Sequence, residues 1–453
     1  MWKLGVQNEI LSLIRDINKK CNIIVKTPIG LTEEFTMENI VQQGSVCGGI
    51  LCSASTGEVN SEIKLGGSQI GNCNIKCLVY VDDIITVNNT PQDVGYSHSR
   101  VTWFSEKKRL TLNGPKCLLL AVNLKPYDVI PRLVIDGTVL ESKETAPYLG
   151  DIFNSKGTNI DLINDRVKKG KTCIISSMSL CSDITMGIYA VETLLMLHKS
   201  LFIQVVLYNS QAWSNLTKAD IKSLQTVQLK YLKRVFFAPS STSNPLTFLE
   251  TGILPIQYLI HARQLTFLHH ILSLQDNDPV KRAYQQQLQY QMAPNWANEV
   301  ASIRIVYELH ENDSEVVSLS KDAWKTILKK KIRAKALLDL QLEASQQKQF
   351  QNLSPYNAFA RQQYLDELPP NLSRKIFHIR TGTVDLRGVR RYMYDNADCR
   401  LCQAGEETVE HIVNECPKIS RTVHVANIYT TDCEELRIIA KRCLEFDAKV
   451  DVD

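Results

Sequence analysis

The sequence predicts an α+β fold, and three observations carry that prediction. Residues 1–155 combine short helical patterns with apolar runs of strand length, separated by turn residues. Long amphipathic helices follow at 156–290, and a further helical stretch follows at 291–375. A basic segment with closely spaced cysteines lies at 376–420, before a tail at 421–453. Strands joined by hairpin turns indicate an antiparallel sheet with helices beside it.

Turn chemistry places the strands of the first region. The runs NIIVKT and LTEEFTM flank a turn at Gly30, and RLVIDGTVLE turns on Asp136-Gly137, a dipeptide favoured in tight hairpins. A helix is expected near 92–109. The run KCLLLAV, which begins at Lys116, is expected to form another strand.

One helix of the second region has a clear apolar stripe. It is formed by Leu224, Val227, Tyr231, Leu232 and Val235, and only Gln228 interrupts it. Basic residues lie off or beside this stripe, at Lys222, Lys230, Lys233 and Arg234. A basic face of this kind indicates either contact with a nucleic-acid backbone or an ordinary solvated surface.

Composition excludes some classes of protein. The chain has 453 residues, of which 44% are hydrophobic and 22% charged, with a net charge of +4, which is ordinary for a globular protein of several domains. The N-terminal residues form an amphipathic helical pattern, so no secretory signal is expected. Charged residues interrupt the most apolar stretch of the chain, so no membrane span is expected either. Thirteen scattered cysteines indicate a reducing, intracellular location in the cytoplasm or nucleus.

Two adjacent carboxylates, Asp82 and Asp83, stand between the apolar runs CLVYV and IITV. A hairpin with the acids at its tip is expected there. Two adjacent carboxylates raise each other's pKa, so both remain ionised at low energetic cost only in water or beside a cation. The pair therefore indicates either a solvated turn or ligands for magnesium, which prefers oxygen donors.

A glycine-containing loop precedes this hairpin. Gln43, Gly44 and Ser45 lead towards the apolar run that starts at Ile50. The loop indicates either an ordinary helix start capped by Ser45 or a helix N-terminus that meets a phosphate or a base pair.

The strongest motif lies near the end of the chain. Its residues are Cys399, Cys402, His411 and Cys416, spaced as Cys-x2-Cys-x8-His-x4-Cys. Two closely spaced cysteines followed by His and Cys supply four ligands for tetrahedral zinc. A second set of cysteines lacks that spacing and is expected to consist of small core residues: Cys47, Cys52, Cys73 and Cys77.

A basic stretch precedes the zinc motif. Residues 374–391 carry six cationic side chains against a single acid, Asp385. They are Arg374, Lys375, Arg380, Arg387, Arg390 and Arg391. Another basic cluster runs from Lys329 to Lys335. These clusters predict binding of RNA or single-stranded DNA through charge.

In chain order, the motifs resemble the reverse transcriptase of a non-LTR (LINE-type) retrotransposon. The matching residues are Gln43-Gly44-Ser45, Tyr80-Val81-Asp82-Asp83, Leu112 to Lys116, and Tyr148-Leu149-Gly150. The resemblance implies a partial palm at 1–155, a helical thumb at 156–290, a helical connector at 291–375 and a CCHC zinc knuckle within 376–420. It also implies an RNA template, a DNA primer and deoxynucleotides as partners.

The resemblance assigns roles to individual residues. Asp82 and Asp83 would bind magnesium for nucleotidyl transfer, and Lys116 would lie near the leaving pyrophosphate. Gln43, Gly44 and Ser45, with Tyr80, would contact template and nucleotide. Tyr148, Leu149 and Gly150 would support the primer end.

The chain departs from the family pattern at its start. The family's first catalytic Asp motif and its fingers have no counterpart before the QGS loop, and Cys47-Gly48-Gly49 replaces the more usual Leu-Ser-Pro. We therefore expect a truncated polymerase that is inactive without the missing N-terminal half. The alternative expectation is a non-catalytic retroelement remnant that only binds nucleic acid.

Overall fold

The computed structural model describes residues 5–38, 45, 48–71, 73–125, 128–182, 190–290, 294–309, 312–347, 356–420, 423–427 and 429–451. The chain divides into two compact units, 1–146 and 147–453. Helices and small antiparallel sheets are both present, so the α+β class is confirmed.

The first unit contains short helices and paired strands. Its elements are α1 (Asn8–Lys19), β1 (Lys20–Ile23), β2 (Lys26–Thr27), β3 (Gly30–Leu31), β4 (Phe35–Glu38), α2 (Gly48–Thr56), α3 (Val59–Glu62), β5 (Ser68–Ile70), β6 (Cys73–Ile75), β7 (Cys77–Tyr80), β8 (Asp83–Thr86), α4 (Pro91–Lys108), β9 (Val134–Ile135) and β10 (Thr138–Val139). A small core forms where α3, α4 and β7 meet, around Val59, Ile63, Cys77 and Phe104.

The strands pair locally. Within the described residues, each sheet has two strands: β1 with β4, β2 with β3, β5 with β6, β7 with β8, and β9 with β10. The predicted hairpins at Gly30 and at Asp136-Gly137 are therefore confirmed, as is the helix near 92–109. Among the residues that the structure describes, these five pairs do not join into one larger sheet, and the partial palm stays a prediction.

The strand expected at KCLLLAV is wrong. Gly114–Lys116 form a 3-10 turn, and beyond it Leu119 makes only an isolated bridge with Ser142. An apolar run becomes a strand only when a neighbour pairs with its backbone along its length. Here the pairing ends after one position.

The hairpin of β11 (Thr145–Tyr148) and β12 (Asp151–Asn154) lies at the division between the units, and helices follow it. They are α5 (Ile160–Ser182), α6 (Ala190–Leu197), α7 (Ile203–Val206), α8 (Lys218–Val235), α9 (Asn244–Thr251), α10 (Ile256–Ser273), α11 (Pro279–Gln289), α12 (Trp296–Val306), α13 (Asp313–Ser318), α14 (Lys321–Ser345), α15 (Tyr364–Glu367), α16 (Pro370–Arg380) and α17 (Cys433–Val450). A π-helical turn, His198–Phe202, joins α6 to α7.

Helix α8 confirms the predicted apolar stripe. Its five stripe residues are all buried, and so is Gln228. The Gln228 amide donates to the Leu254 carbonyl and accepts from the Ile256 N–H, which satisfies the start of α10. The interruption in the stripe is therefore a polar link between two helices.

One hydrophobic core runs through most of the second unit. It begins with Leu162 in α5, continues through α8 and α16, and includes Cys399, Cys416 and Phe446. A second cluster lies around Trp324, between α10 and α14. The cysteine motif and the long helices are consequently parts of one packed body.

Candidate functional site

A tight turn positions the first two ligands of the cysteine motif. The Cys399 N–H donates to the Gly405 carbonyl at 2.8 Å, and the Gln403 N–H donates to the Cys399 carbonyl at 2.9 Å. Gln403 adopts a left-handed conformation with φ 55°, which reverses the chain. Cys399 and Cys402 therefore face the same side of the turn.

A π-helical turn, His411–Glu415, positions the other two ligands. Ile412 and Val413 in this turn are fully buried and anchor it in the core. The Cys416 N–H donates to the His411 carbonyl at 2.6 Å, which closes the turn. His411 and Cys416 are thereby brought to the same point.

The four predicted ligands converge. Their ligand atoms all lie within 4.8 Å of one another. The sulfur atoms of Cys399 and Cys416 are 4.0 Å apart, and Cys402 Sγ lies 3.2 Å from His411 Nε2. A zinc tetrahedron with sulfur arms of about 2.3 Å has edges of roughly 3.8 Å. This cluster could therefore hold a metal ion such as zinc.

Two neighbours fix the imidazole. Glu415 Oε2 lies 3.3 Å from His411 Nδ1, so the other ring nitrogen, Nε2, is left to face the sulfur atoms. A Cβ atom at Gly405 would lie 2.9 Å from both Cε1 and Nδ1 of the ring, closer than packing allows. Glycine at this position lets the backbone approach the histidine.

Protons and a metal ion would compete for the sulfur atoms of the cluster. Burial raises the pKa of Cys399 and raises that of Cys416 to about 11, with the neighbouring cysteines adding to both shifts. Burial also tends to raise the pKa of Cys402, but hydrogen bonds from the Ala404 N–H, His411 and the other thiols lower it to about 7. Only one thiolate is stable near neutral pH without a positive charge, so metal binding would release protons.

A buried ion pair holds the turn from outside. Glu407 is fully buried, and both of its oxygens accept from the Arg400 guanidinium at 2.7–3.0 Å. Arg442 in α17 donates to the Val413 carbonyl at 2.7 Å. The ion pair therefore anchors the turn that carries Cys399 and Cys402, and Arg442 anchors the turn that carries His411 to the last helix.

The aspartate pair lies where the sequence predicts. Tyr80 pairs with Asp83 in the β7–β8 hairpin, and Val81 and Asp82 form its tip, with Val81 at φ 57°. Both carboxylates are exposed, and no described lysine or arginine forms an ion pair with either. Thr56 at the end of α2 donates to the Val81 carbonyl at 2.6 Å and fixes the tip. Burial, and then the charge of Asp82, raise the pKa of Cys52.

The other residues of the expected polymerase site are only partly located. Gln43 and Gly44 lie outside the described residues, and Ser45 is half-buried, with its carbonyl accepting the Gly48 N–H at 3.1 Å. Tyr80 is 60% exposed, and Lys116 is exposed in its 3-10 turn. No described contact joins Lys116 to Asp82. In the part of the chain that the structure describes, the only cluster of three or more metal-ligand side chains is the one at Cys399.

The hairpin turn at Leu149-Gly150 is held firmly. Leu149 has φ 46° and Gly150 has φ 85°, as a tight hairpin requires. Arg166 of α5 donates to the Gly150 carbonyl at 2.9 Å and forms a buried ion pair with Asp151. A Cβ atom at Gly150 would meet the Tyr208 ring at 3.0 Å. Tyr148, Leu149 and Gly150 thus form a rigid corner beside α5.

Most of the basic stretch before the motif is engaged within the protein. Arg380 is 3% exposed and pairs with the fully buried Glu250 at 2.8 Å. The other five have partners too: Arg374 with the Val235 carbonyl, Lys375 with Asp447, Arg387 with Asn396, Arg390 with Asp385 and Arg391 with Glu406. In α8, Lys233 is also buried and donates to the Ser240 carbonyl at 2.7 Å. The cations available on the surface are fewer than the sequence indicates.

Sequence reasoning missed the buried network around Glu250. The Tyr364 hydroxyl donates to Glu250 at 2.9 Å, and the Tyr356 hydroxyl donates to it as well. Only the apolar setting of Glu250 in α9 (NPLTFLET) signalled a buried acid.

Of the second set of cysteines, Cys52, Cys73 and Cys77 form no metal cluster among the described residues, and Cys47 lies outside them.

The chain matches no family model and no curated protein. No helix within the described ranges combines the length and apolarity needed to cross a bilayer.

Proposed function

We propose that this chain is part of an RNA-directed DNA polymerase of the non-LTR retrotransposon type. The observation that carries the proposal is the tip of the β7–β8 hairpin. It holds Asp82 and Asp83 side by side and exposed, with no described cation of the protein to neutralise them. Two adjacent carboxylates in this state favour an external cation.

Asp82 and Asp83 are what the chain contributes to catalysis in this proposal. Magnesium at such a site supplies activation of a 3′-hydroxyl and stabilisation of the leaving pyrophosphate. The pair is an incomplete ligand set, because no third carboxylate joins it among the described residues. We therefore propose that catalysis requires a further carboxylate, which the family's first catalytic motif would supply.

The remaining polymerase residues take substrate roles in the same proposal. Gln43, Gly44, Ser45 and Tyr80 would contact template and incoming deoxynucleotide. Tyr148 to Gly150 would support the primer end. The exposed ammonium of Lys116 would approach the pyrophosphate.

Primer extension on an RNA template tests the polymerase proposal. The isolated chain is expected to be silent, and a form extended by the first catalytic motif is expected to synthesise DNA with magnesium. Asp82→Asn should abolish that synthesis. Asp136→Asn is the matched control, because Asp136 is also an exposed aspartate at a hairpin tip. Extension by the Asp82→Asn variant would refute the role of Asp82.

The alternative is a retroelement remnant that binds nucleic acid without catalysis. The absence of a third carboxylate near Asp82 among the described residues favours it. The two proposals differ in the extended form: synthesis that depends on Asp82 supports the polymerase, and binding without synthesis supports the remnant.

We also propose that the metal at Cys399, Cys402, His411 and Cys416 is zinc in a structural role. All four positions have protein ligands, which is typical of structural zinc sites, and thiol ligands suit a reducing intracellular compartment. The intact chain should contain one zinc ion per molecule by elemental analysis, and Cys402→Ser should lose most of it. Cys117→Ser, a cysteine outside the cluster, should keep it; full zinc content in Cys402→Ser would refute the assignment.

A further inference from the structure

Helix α8 ends with an unusual residue. Phe236 is its C-cap, Phe237 follows at φ 53°, and the Ala238 N–H donates to the Lys233 carbonyl at 2.9 Å. This bonding pattern is the Schellman motif, in which glycine usually occupies the left-handed position. A bulky side chain is strained there. A phenyl ring at this position is unfavourable for helix termination, and strain of this kind is common at functional positions.

The ring is both exposed and held. Phe237 is 72% exposed, and the Arg374 guanidinium lies over it at 4.3 Å from the ring centre. Arg374 is itself fixed, because its Nε donates to the Val235 carbonyl at 3.1 Å. Phe236, the preceding residue, and Phe377 of α16 are fully buried, and the centres of their stacked rings are 3.9 Å apart. Arg374 covers one side of the ring, and the high exposure leaves the other side to solvent.

A line of cations leads to this ring. Lys222, Thr226, Lys230 and Arg234 are exposed and occur at every fourth residue of α8. Each such step advances about 6 Å along the helix and turns about 40° around it, so Lys230 and Arg234 are neighbours on one face. None of the three cations has an ion-pair partner among the described residues. The only acid of α8 is Asp220, which is used in the capping box at the N-terminus.

We propose that Phe237 is a stacking platform for an unpaired base of single-stranded nucleic acid whose phosphates follow Lys230 and Arg234. The proposal deepens the proposed nucleic-acid function and rests on it. Aromatic rings bind single strands because unpaired bases expose their faces, and nearby cations bind the backbone. Bases within a duplex are already stacked and cannot use the ring. Because α8 has no acid besides Asp220 of the capping box, its exposed cations favour a polyanion over a second copy of the chain.

Binding of labelled oligonucleotides to the full chain, measured by fluorescence anisotropy, tests the platform. Phe237→Leu keeps apolar area but removes the aromatic face, whereas Phe237→Trp keeps a face for stacking. Affinity for single-stranded oligouridine should fall about 5- to 140-fold in Phe237→Leu, since one stacked base contributes ~1–3 kcal/mol and 1.4 kcal/mol is tenfold. Phe237→Trp should bind as tightly as the native chain or more tightly. Oligodeoxythymidine distinguishes DNA from RNA as the source of the base.

Two controls separate stacking from charge. An oligouridine with abasic positions should show no difference between native and Phe237→Leu chains. Lys230→Gln should lower the slope of log affinity against log salt by about 0.7, the value for one phosphate contact on a single strand, and Phe237→Leu should leave that slope unchanged.

Each result bears on a different proposal. If the native chain binds oligouridine and Phe237→Leu binds equally well, the platform is refuted while nucleic-acid binding stands. If no oligonucleotide binds at low salt, both fail. Self-association that Phe237→Leu abolishes, with unchanged oligouridine affinity, would assign the ring to a contact between copies instead. Phe237→Gly relieves the left-handed strain, so reduced affinity with an unchanged or raised melting temperature would exclude misfolding as the cause.

Discussion

The carboxylate beside the histidine ligand gives the sharpest test of the metal centre. Glu415 Oε2 lies 3.3 Å from His411 Nδ1, and the Glu415 side chain is 64% exposed. Partners that orient a metal-bound histidine contribute about 10- to 100-fold in metal affinity. The long contact and the exposure place Glu415→Gln at the low end, near tenfold, or about 1.4 kcal/mol.

Competition with a chromophoric chelator on the full chain measures this effect directly. Glu410→Gln is the matched control: Glu410 is exposed and immediately precedes His411, but its carboxylate accepts from the Asn414 amide at 2.7 Å. Zinc affinity should fall in Glu415→Gln and remain native in Glu410→Gln. Equal affinity in the two variants would refute the view that Glu415 orients the ligand.

Three other substitutions have expected outcomes. Gly405→Ala places a Cβ atom 2.9 Å from the ligand imidazole, so its zinc affinity should fall further than that of Glu415→Gln in the same competition. Burial lowers the pKa of His198 to about 3, so the contribution of the neutral imidazole to stability is complete above the unfolded-state pKa of about 6.5 and is lost as pH falls towards 3. In His198→Phe, the free energy of unfolding from urea titrations should therefore fall less steeply with decreasing pH than in the native chain. An unchanged dependence on pH would contradict this. Arg380→Met leaves the fully buried Glu250 without a counter-ion, although the Tyr356 and Tyr364 hydroxyls still donate to it, and should cost about 3–5 kcal/mol of unfolding free energy. The exposed Arg391→Met should cost less than about 0.5 kcal/mol, and equal losses would show that the buried pair is not structural.

Local chemistry explains which parts of the fold the sequence could predict. The turn at Asp136-Gly137 and the ligand spacing from Cys399 to Cys416 depend on residues close together in the chain, and the structure forms both. Strand pairing depends on distant partners. The run after Lys116 therefore looked like a strand, although its backbone finds only one bridge partner.

Burial of charge was the least visible property. Arg380 and Glu250 are 130 residues apart in sequence, and nothing in the composition around Arg380 indicates that it forms a buried ion pair with a glutamate. Lys233 likewise seemed to belong to the exposed face of its helix, but its ammonium group donates hydrogen bonds to the Ser240 carbonyl in the following loop and to the Asn244 side chain at the start of α9. A count of lysines and arginines in a sequence therefore overstates the positive charge that is exposed on the surface for a binding partner.

The shared core of the second unit has a consequence for biosynthesis. Its members extend from Leu162, near the start of α5, to Phe446 in the last helix, and the Arg442 guanidinium closes on the Val413 carbonyl only when that helix is in place. A ribosome delivers the early helices first, so their apolar faces are fully covered only after α17 has been synthesised. Folding of this unit is accordingly completed only once α17 has emerged from the ribosome, and the nascent helices are expected to need a chaperone until then.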